Sequence, residues 1–278
     1  MGPDLPDLPD RGAVSVVIPT KNSSRTLAAC LASVRAQSYP YVEVIVVDDR
    51  SPDGSAGIAR SAGVRLIEQA SNTSEARNIG LAAARGEYLL ALDADMTLSP
   101  TVVERCVAIV GQGSDAVVLP ELAVGDGFWG EALAFNRNLS LPDQRRGVDG
   151  LPRFFRRERL LALGGWDPGL YVGEDRDLLI RWRAAGGRVV TVPDLVYHSE
   201  GAPGLREIYA KWARYYASAA RFERKHPDGL RVDLVRDILR RYASAYGTRQ
   251  VARHPGLALG GGLVRAVRWI AMVDGRRG

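Results

Sequence analysis

The stretch VDDRSPDGS, Val47 to Ser55, sets Asp48, Asp49 and Asp53 within six residues, directly after an apolar run. One acid at such a position caps the following turn or helix by accepting hydrogen bonds from its unpaired amides. A second adjacent carboxylate repels the first, so the pair implies a ligand or a strong local donor. A further apolar run, LLAL, ends in Asp93-Ala94-Asp95. On an extended backbone side chains alternate, so Asp93 and Asp95 are expected on one side. Two close carboxylates attract a hard divalent cation whose other oxygens come from water and phosphate. A third acidic pair, Glu174-Asp175, follows Gly173 and opens the helical pattern EDRDLLIRWRA. Helix capping requires only one acid there.

Alternating strand and helix patterns must place these groups. VSVVI, VEVIVVD, VRLIEQ, EYLLALD and DAVVLP read as strands, rich in the residues of strands buried on both faces. Between them, SRTLAACLASVRAQ, GSAGIARSAG, SEARNIGLAAARG and the segment near Pro100–Val110 read as helices. This order predicts an α/β fold with a mostly parallel sheet and helices on both faces. In such sheets ligands bind beyond the carboxyl ends of the strands, so Asp48, Asp49, Asp93 and Asp95 are expected along one rim. Leu178, Leu179 and Trp182 share an apolar face, which makes the segment from about Asp175 an amphipathic helix. The alternation weakens after Leu119, and from Gly204 onward the pattern is helical.

At 278 residues the chain can bury a substantial core, and a charged content of 25% is that of a globular protein. Its net charge of +5 is uneven: from Pro203 onward 16 Lys/Arg face 6 Asp/Glu, while the preceding part carries 21 against 26. A basic helical extension thus follows an acidic body, and the two parts are expected to meet different partners. MGPDLPDLPDRG has neither a basic start nor an apolar run, and is expected to be a loose tail. No window holds the roughly 18 uninterrupted apolar residues of a spanning helix. Cys30 and Cys106 sit in separate helical segments and are expected as buried thiols of a reducing compartment.

VSVVIPTKNSSRTLAACLASVRAQSYPYVEVIVVDDRSPDGS, EARNIGLAAARGEYLLALDAD and GEDRDLLIRWRAAG together resemble the family 2 glycosyltransferases of GT-A fold. The resemblance covers roughly Ala13 to Gly201. It implies a catalytic domain over 13–201, with a nucleotide-sugar half of about 13–120 and an acceptor half of about 121–201. The tail 1–12 and the extension 202–278 flank it. By this likeness Pro19 and Thr20 lie against the nucleotide, and Asp49 accepts from a base N–H, as an acceptor-only carboxylate can. Asp48 supports the turn, Arg77 reaches toward base or phosphates, and Asn78 fixes the loop. Asp93 touches the ribose beside Ala94. Asp95 holds Mg²⁺ or Mn²⁺ on the diphosphate, with His198 of VYHSEG as a second ligand; a structural His198 stays open. Asp175, or as the second candidate Glu174, is the implied general base of an inverting single displacement. Trp166 and Asp167 of GGWDPGLY line the acceptor or sugar pocket, with a core role for Trp166 equally open.

The implied donor is a nucleoside-diphosphate sugar, a UDP-sugar first, and the implied acceptor a saccharide or a lipid-linked or cell-envelope glycan. A retaining transferase of similar fold and an inactive sugar-nucleotide binder remain alternatives. A dehydrogenase is excluded because no G-x-G-x-x-G follows VSVVI. A nucleotidyltransferase is disfavoured because PTKNSSRT is not a glycine-rich phosphate loop. In the extension, Ile208, Trp212, Tyr215, Tyr216, Ala219 and Phe222 share one helical side among basic residues. Basic aromatic helices of this kind lie on anionic membrane surfaces. Peripheral membrane contact from a cytoplasmic location, at the inner face of the membrane, is the expectation, with packing on the body as the alternative. Nucleic acid is not expected, since no binding module accompanies the charge.

Overall fold

The computed structural model describes residues 8, 9, 12–148, 150–227 and 234–275, with the side chains at 234–237 excepted. The tail expected over 1–12 therefore lies outside the described residues apart from 8, 9 and 12. The expected alternation is present as β1 (Val14–Thr20), α1 (Leu27–Arg35), β2 (Val42–Asp48), α2 (Ser55–Ser61), β3 (Arg65–Glu68), α3 (Thr73–Ala83) and β4 (Tyr88–Ala91). There follow β5 (Met96–Leu98), α4 (Val102–Gly111), β6 (Ala116–Val118), β7 (Glu121–Gly125), α5 (Gly127–Asn138) and α6 (Leu141–Arg145). Next come β8 (Pro152–Arg156), α7 (Arg157–Ala162), α8 (Glu174–Ala184), β9 (Val189–Thr191) and β10 (Val196–Gly201). Helices α9 (Leu205–Lys225), α10 (Leu234–Ala243), α11 (Ala245–Arg253) and α12 (Pro255–Gly275) complete the described chain.

Two compact units interleave along the sequence. The first contains Met1–Pro120, Gly150–Gly169 and Glu174–Tyr197; the second contains Glu121–Asp149, Leu170–Gly173 and His198–Gly278. In the first, seven strands run in the order β3-β2-β1-β4-β8-β6-β9. Neighbouring strands pair in parallel except β8, which runs antiparallel to both β4 and β6. Alternation along β1 decides the two cores. Val14, Val16 and Ile18 pack with α1 and α4, whereas Val17 packs with Ile45, Val47 and residues of α3 and α8. Cys30 and Cys106 are free and buried, and burial pushes both thiols far above their ordinary value.

The sheet also decides where a crevice opens. The chain runs from β1 outward through β2 to β3, then returns to place β4 on the other side of β1. Loops leaving β1 and β4 diverge at this switch point. Thr20 is level with Asp48, and Leu92 donates its amide to Val17 O at 3.0 Å, so Asp93 emerges beside the end of β1.

In the second unit α12 packs on α9 and α5. Close approach depends on glycine: a Cβ at Gly260 would stand 2.7 Å from the Phe128 ring, and one at Gly261 2.9 Å from the Asn136 amide. Ala132, Ile208 and Val264 form the small core there, with Trp212 packed against it. On the expected α9 face, Ile208, Ala219 and Phe222 are buried, while Trp212, Tyr215 and Tyr216 are half-buried. The spanning-helix expectation requires amendment. Although Arg265 and Arg268 interrupt its apolar run, α12 is long and apolar enough by length and composition to cross a membrane, with 22% of that window buried.

Candidate active site

Asp48 ends β2 fully buried, and its Oδ2 accepts from Ser51 N at 2.8 Å, which stabilises the turn containing left-handed Arg50. Asp49 has a different environment. It is partly exposed, with Oδ1 accepting from Ser71 N at 3.1 Å and Oδ2 lying 3.1 Å from Lys21 Nζ. Asp53 accepts from Ser24 N, Ser55 N and Ser55 Oγ, tying the loop after β1 to the start of α2. Those bonds hold its carboxyl far below the ordinary range, the Ser55 hydroxyl first. Pro19 and Thr20 finish β1 at the same rim, Thr20 being buried.

Arg77 is the hub. Helix α3 is started by a capping box, in which Asn72 accepts from Glu75 N and Glu75 accepts from Asn72 N. One turn later Arg77 points inward at 2% exposure. Its Nη2 donates to Asp93 Oδ1 at 2.8 Å, and Nη1 donates to Asp175 Oδ1 at 2.8 Å and to Glu174 Oε1 at 3.3 Å. Burial alone pushes the guanidinium pKa down. The charges of Asp175, Asp93 and Glu174 outweigh it and push it up, so Arg77 is a permanent cation. Its guanidinium also stands 5.6 Å over the Trp166 ring.

The ring belongs to the interior: Trp166 is 1% exposed and meets Phe155 edge-on. Its indole N–H donates to Asp175 Oδ1 at 2.8 Å. Asn78 clamps the same residue, donating from Nδ2 to Trp166 O at 2.7 Å and accepting from Trp166 N at 2.9 Å. That approach leaves no space for a side chain at Gly165, whose φ is +67°. Asp167 accepts from Gly169 N at 2.9 Å, closing the next turn.

Asp93 and Asp95 correct one expectation. Strand β4 ends at Ala91, and the two acids lie in a turn closed by Met96 N on Asp93 O at 3.0 Å. Their side chains are therefore not set by strand alternation. Both nevertheless stand near Cys30, whose thiol is raised by burial first and then by Asp95 and Asp93. Arg153 of β8 adds a second cation to Asp93, with Nη1 3.1 Å from Oδ2. Sequence reasoning missed Arg153; an arginine inside the apolar strand PRFFR was the available signal, since a buried cation requires a carboxylate. Ala94 is buried between the two acids, and Asp95 is half-buried.

Among the described residues no group of three or more His, Cys, Asp and Glu side chains could enclose a metal. One or two hard carboxylate oxygens still fit Mg²⁺ or Mn²⁺, which take their remaining ligands from phosphate and water. Asp93 is committed to two arginines, Arg77 and Arg153. His198 lies in the second unit, where its Nδ1 is 3.2 Å from Glu121 Oε2.

Glu174 has the perturbed carboxyl. Burial first, and then the charge of Asp175, outweigh Arg77 and push it up to about 7. The folded chain thus retains a proton that an unfolded chain releases near the ordinary carboxyl value, so stability falls as pH rises from about 4.5 to about 7. Glu174→Gln is expected to remove that slope, stabilising the protein above neutrality by on the order of 1–3 kcal/mol and leaving acid stability unchanged. Urea titrations across this range check it; a wild-type slope in the variant refutes the assignment.

Solved structures of similar architecture include a mannosyltransferase from Pyrobaculum calidifontis, in complex with GDP-Man and Mn²⁺. It is 21% identical with a TM-score of 0.62, over 96% of this chain and 86% of that one. Another is Staphylococcus aureus TarS 1–349 in complex with UDP-GlcNAc, 18% identical with a TM-score of 0.55, over 96% and 92% of the two chains. These likenesses define the class: the first unit's sheet is that of a GT-A fold. The model of glycosyl transferase family 2 matches residues 15–162, and the chain belongs to that family, carrying a glycosyltransferase domain. Among curated relatives, the O-antigen biosynthesis protein RfbC of Myxococcus xanthus is 31% identical over 201 residues, 68% of this chain and 16% of that protein. The chain spans about half the length of other relatives among the first it matches.

Proposed function

We propose that this protein transfers a sugar from a nucleoside-diphosphate sugar, a UDP-sugar first, to an acceptor hydroxyl with inversion, and that Asp175 is the general base. The observation that supports this reading most is the Arg77 hub, which joins Asp93 beside the end of β1 to Asp175 at the start of α8. Arg77 and Trp166 both bond to Asp175 Oδ1, and Oδ2 takes no hydrogen bond among the described residues. One oxygen is thereby positioned and the other is open to an acceptor hydroxyl. A weak base in place suffices, because that hydroxyl becomes acidic only as it attacks an oxocarbenium-like sugar. Asp49 accepts from the base, Pro19 and Thr20 support the nucleotide, and Trp166 with Asp167 holds the floor of the sugar side.

Asp95 holds the divalent cation in this reading. Bound there, the cation neutralises charge on the leaving diphosphate. Asp95→Ala is expected to abolish the Mn²⁺ dependence of donor binding. Calorimetry that finds equal Mn²⁺ dependence in variant and wild type would remove Asp95 from this role. NMR of the product anomer tests inversion, and retention of configuration overturns the single displacement.

The acceptor in this reading is an envelope or lipid-linked saccharide, in line with the relative named for O-antigen biosynthesis. Leu259, Leu263 and Ile270 share one exposed face of α12, with Trp269 exposed beside it. This face supports peripheral membrane contact at a cytoplasmic surface. Full-length protein is expected to float with anionic vesicles, and Leu259→Asp/Leu263→Asp to remain at the bottom of the gradient. Equal sedimentation of both proteins would refute the contact.

A further inference from the structure

The second unit contains a cavity of about 650 Å³ that the transfer reading does not use. Its walls come from α5, α9, α10 and α12, with Leu133, Ile208, Trp212 and Ile238 as the apolar part. Six cations and two carboxylates line it, and both carboxylates have other work. Glu200 accepts from Arg137 at 2.7 Å, and Glu207 accepts from Gly204 N at 2.8 Å to cap its own helix. Lys211, Arg214, Arg265 and Arg268 form no ion pair with a carboxylate among the described residues.

Two of these four are held in place by neutral groups. Arg265 Nε donates to Asn136 Oδ1 at 2.9 Å, and that amide also accepts from the Tyr242 hydroxyl at 2.8 Å. The Arg268 guanidinium lies 3.5 Å over the Trp212 ring. Stacking orients a guanidinium without neutralising it, and its planar donors match an oxyanion. Lys211 and Arg214 are exposed at the rim, where they attract anions without needing to be desolvated. Cations directed into one apolar-walled cavity without carboxylate partners call for an anionic ligand with several strong acceptors.

We propose that this cavity binds a phosphate ester, with Arg265 and Arg268 as its interior donors and Lys211 and Arg214 at its rim. The phosphate comes either from a lipid headgroup or from a free phosphorylated compound. The site does not rest on the catalytic reading, because its residues lie apart in sequence from the acids of the nucleotide rim.

The test uses the full chain with EDTA, so that no divalent ion can hold phosphate at Asp95. Calorimetric titrations compare inorganic phosphate with short-chain phosphatidate, and sedimentation compares phosphatidylcholine vesicles with and without phosphatidate. Saturable binding is expected, with a loss of about tenfold or more in Lys211→Glu/Arg214→Glu, the scale of one charge-assisted hydrogen bond. Both residues are exposed, so the double variant retains the fold; Arg268→Gln extends the test to the interior. Tighter binding of phosphatidate identifies the lipid headgroup, and equal binding identifies the phosphate group alone as sufficient. Donor affinity with Mn²⁺ should be unchanged in the rim variant, which separates this site from the transfer site. Wild-type phosphate affinity in the rim variant, or no saturable binding of either probe, overturns the proposal.

Discussion

Asp175→Asn is expected to slow sugar transfer at least ~10²-fold while leaving donor affinity near that of wild type, the usual scale for losing a general base. The substitution is nearly isosteric. The asparagine carbonyl oxygen can still accept from Arg77 Nη1 and the Trp166 indole, which are bonds the carboxylate makes at 2.8 Å each. What disappears is the capacity to take a proton. The neighbouring acid provides a second reading of the same experiment. Asp175 is the principal charge raising Glu174 after burial, so neutralising it should let Glu174 ionise at lower pH. A base at Glu174 would then shift the acid limb of the pH–rate profile downward and retain turnover, whereas a base at Asp175 would lower the whole profile. Near-wild-type turnover in the Asn variant, combined with collapse in Glu174→Gln, would transfer the role to Glu174. Single-turnover kinetics with saturating donor reads both.

The parts of this fold legible in the sequence are those written in local pattern. β1, β2 and β4 are short apolar runs with Pro19, Asp48 and Asp93 at their ends, and α8 shows its apolar face through Leu178, Leu179 and Trp182, all buried. His226 and His254, each before a proline, cap α9 and α11 as terminators. What escaped was long-range. PRFFR has the composition of a strand, yet only pairing with β4 and β6 makes it one, and Arg153 inside it meets Asp93, far away in sequence. The Asp93–Asp95 spacing suggested alternation along a strand that in fact stops at Ala91. Trp166 suits a sugar pocket or the core alike, but its position is decided by Asn78, 88 residues away, and its use by a single N–H. A residue type specifies which bonds a side chain can make; the fold selects among them.

Arg77 carries the largest stability effect expected for a single substitution. The family resemblance directs it toward the base or phosphates of the nucleotide. At 2% exposure it faces inward among three carboxylates; it lies closer to Asp93 than Arg153 does, and among the described residues it is the only cation paired with Glu174 and Asp175. Replacing it by Met retains much of the apolar stem and removes the charge. Asp93 keeps Arg153, but Glu174 and Asp175 then face each other largely buried without their guanidinium. Breaking a buried ion pair from one side costs about 3–5 kcal/mol, because the remaining charges stay desolvated. Arg77→Met is therefore expected to lower the unfolding free energy by that amount near neutral pH, read as a lower urea midpoint. Part of the loss should vanish on acidification, when Glu174 takes a proton and ceases to repel Asp175. Adding Asp175→Asn to Arg77→Met should recover some stability, since the second change removes one of the charges stranded by the first. A nucleotide-contacting arginine would behave differently: its loss would weaken donor binding with unfolding within about 0.5 kcal/mol of wild type, the range of an uninvolved surface position. An unchanged urea midpoint with additive variants would show that the three acids do not depend on Arg77, and with it would go the argument that Asp175 is held in place for catalysis.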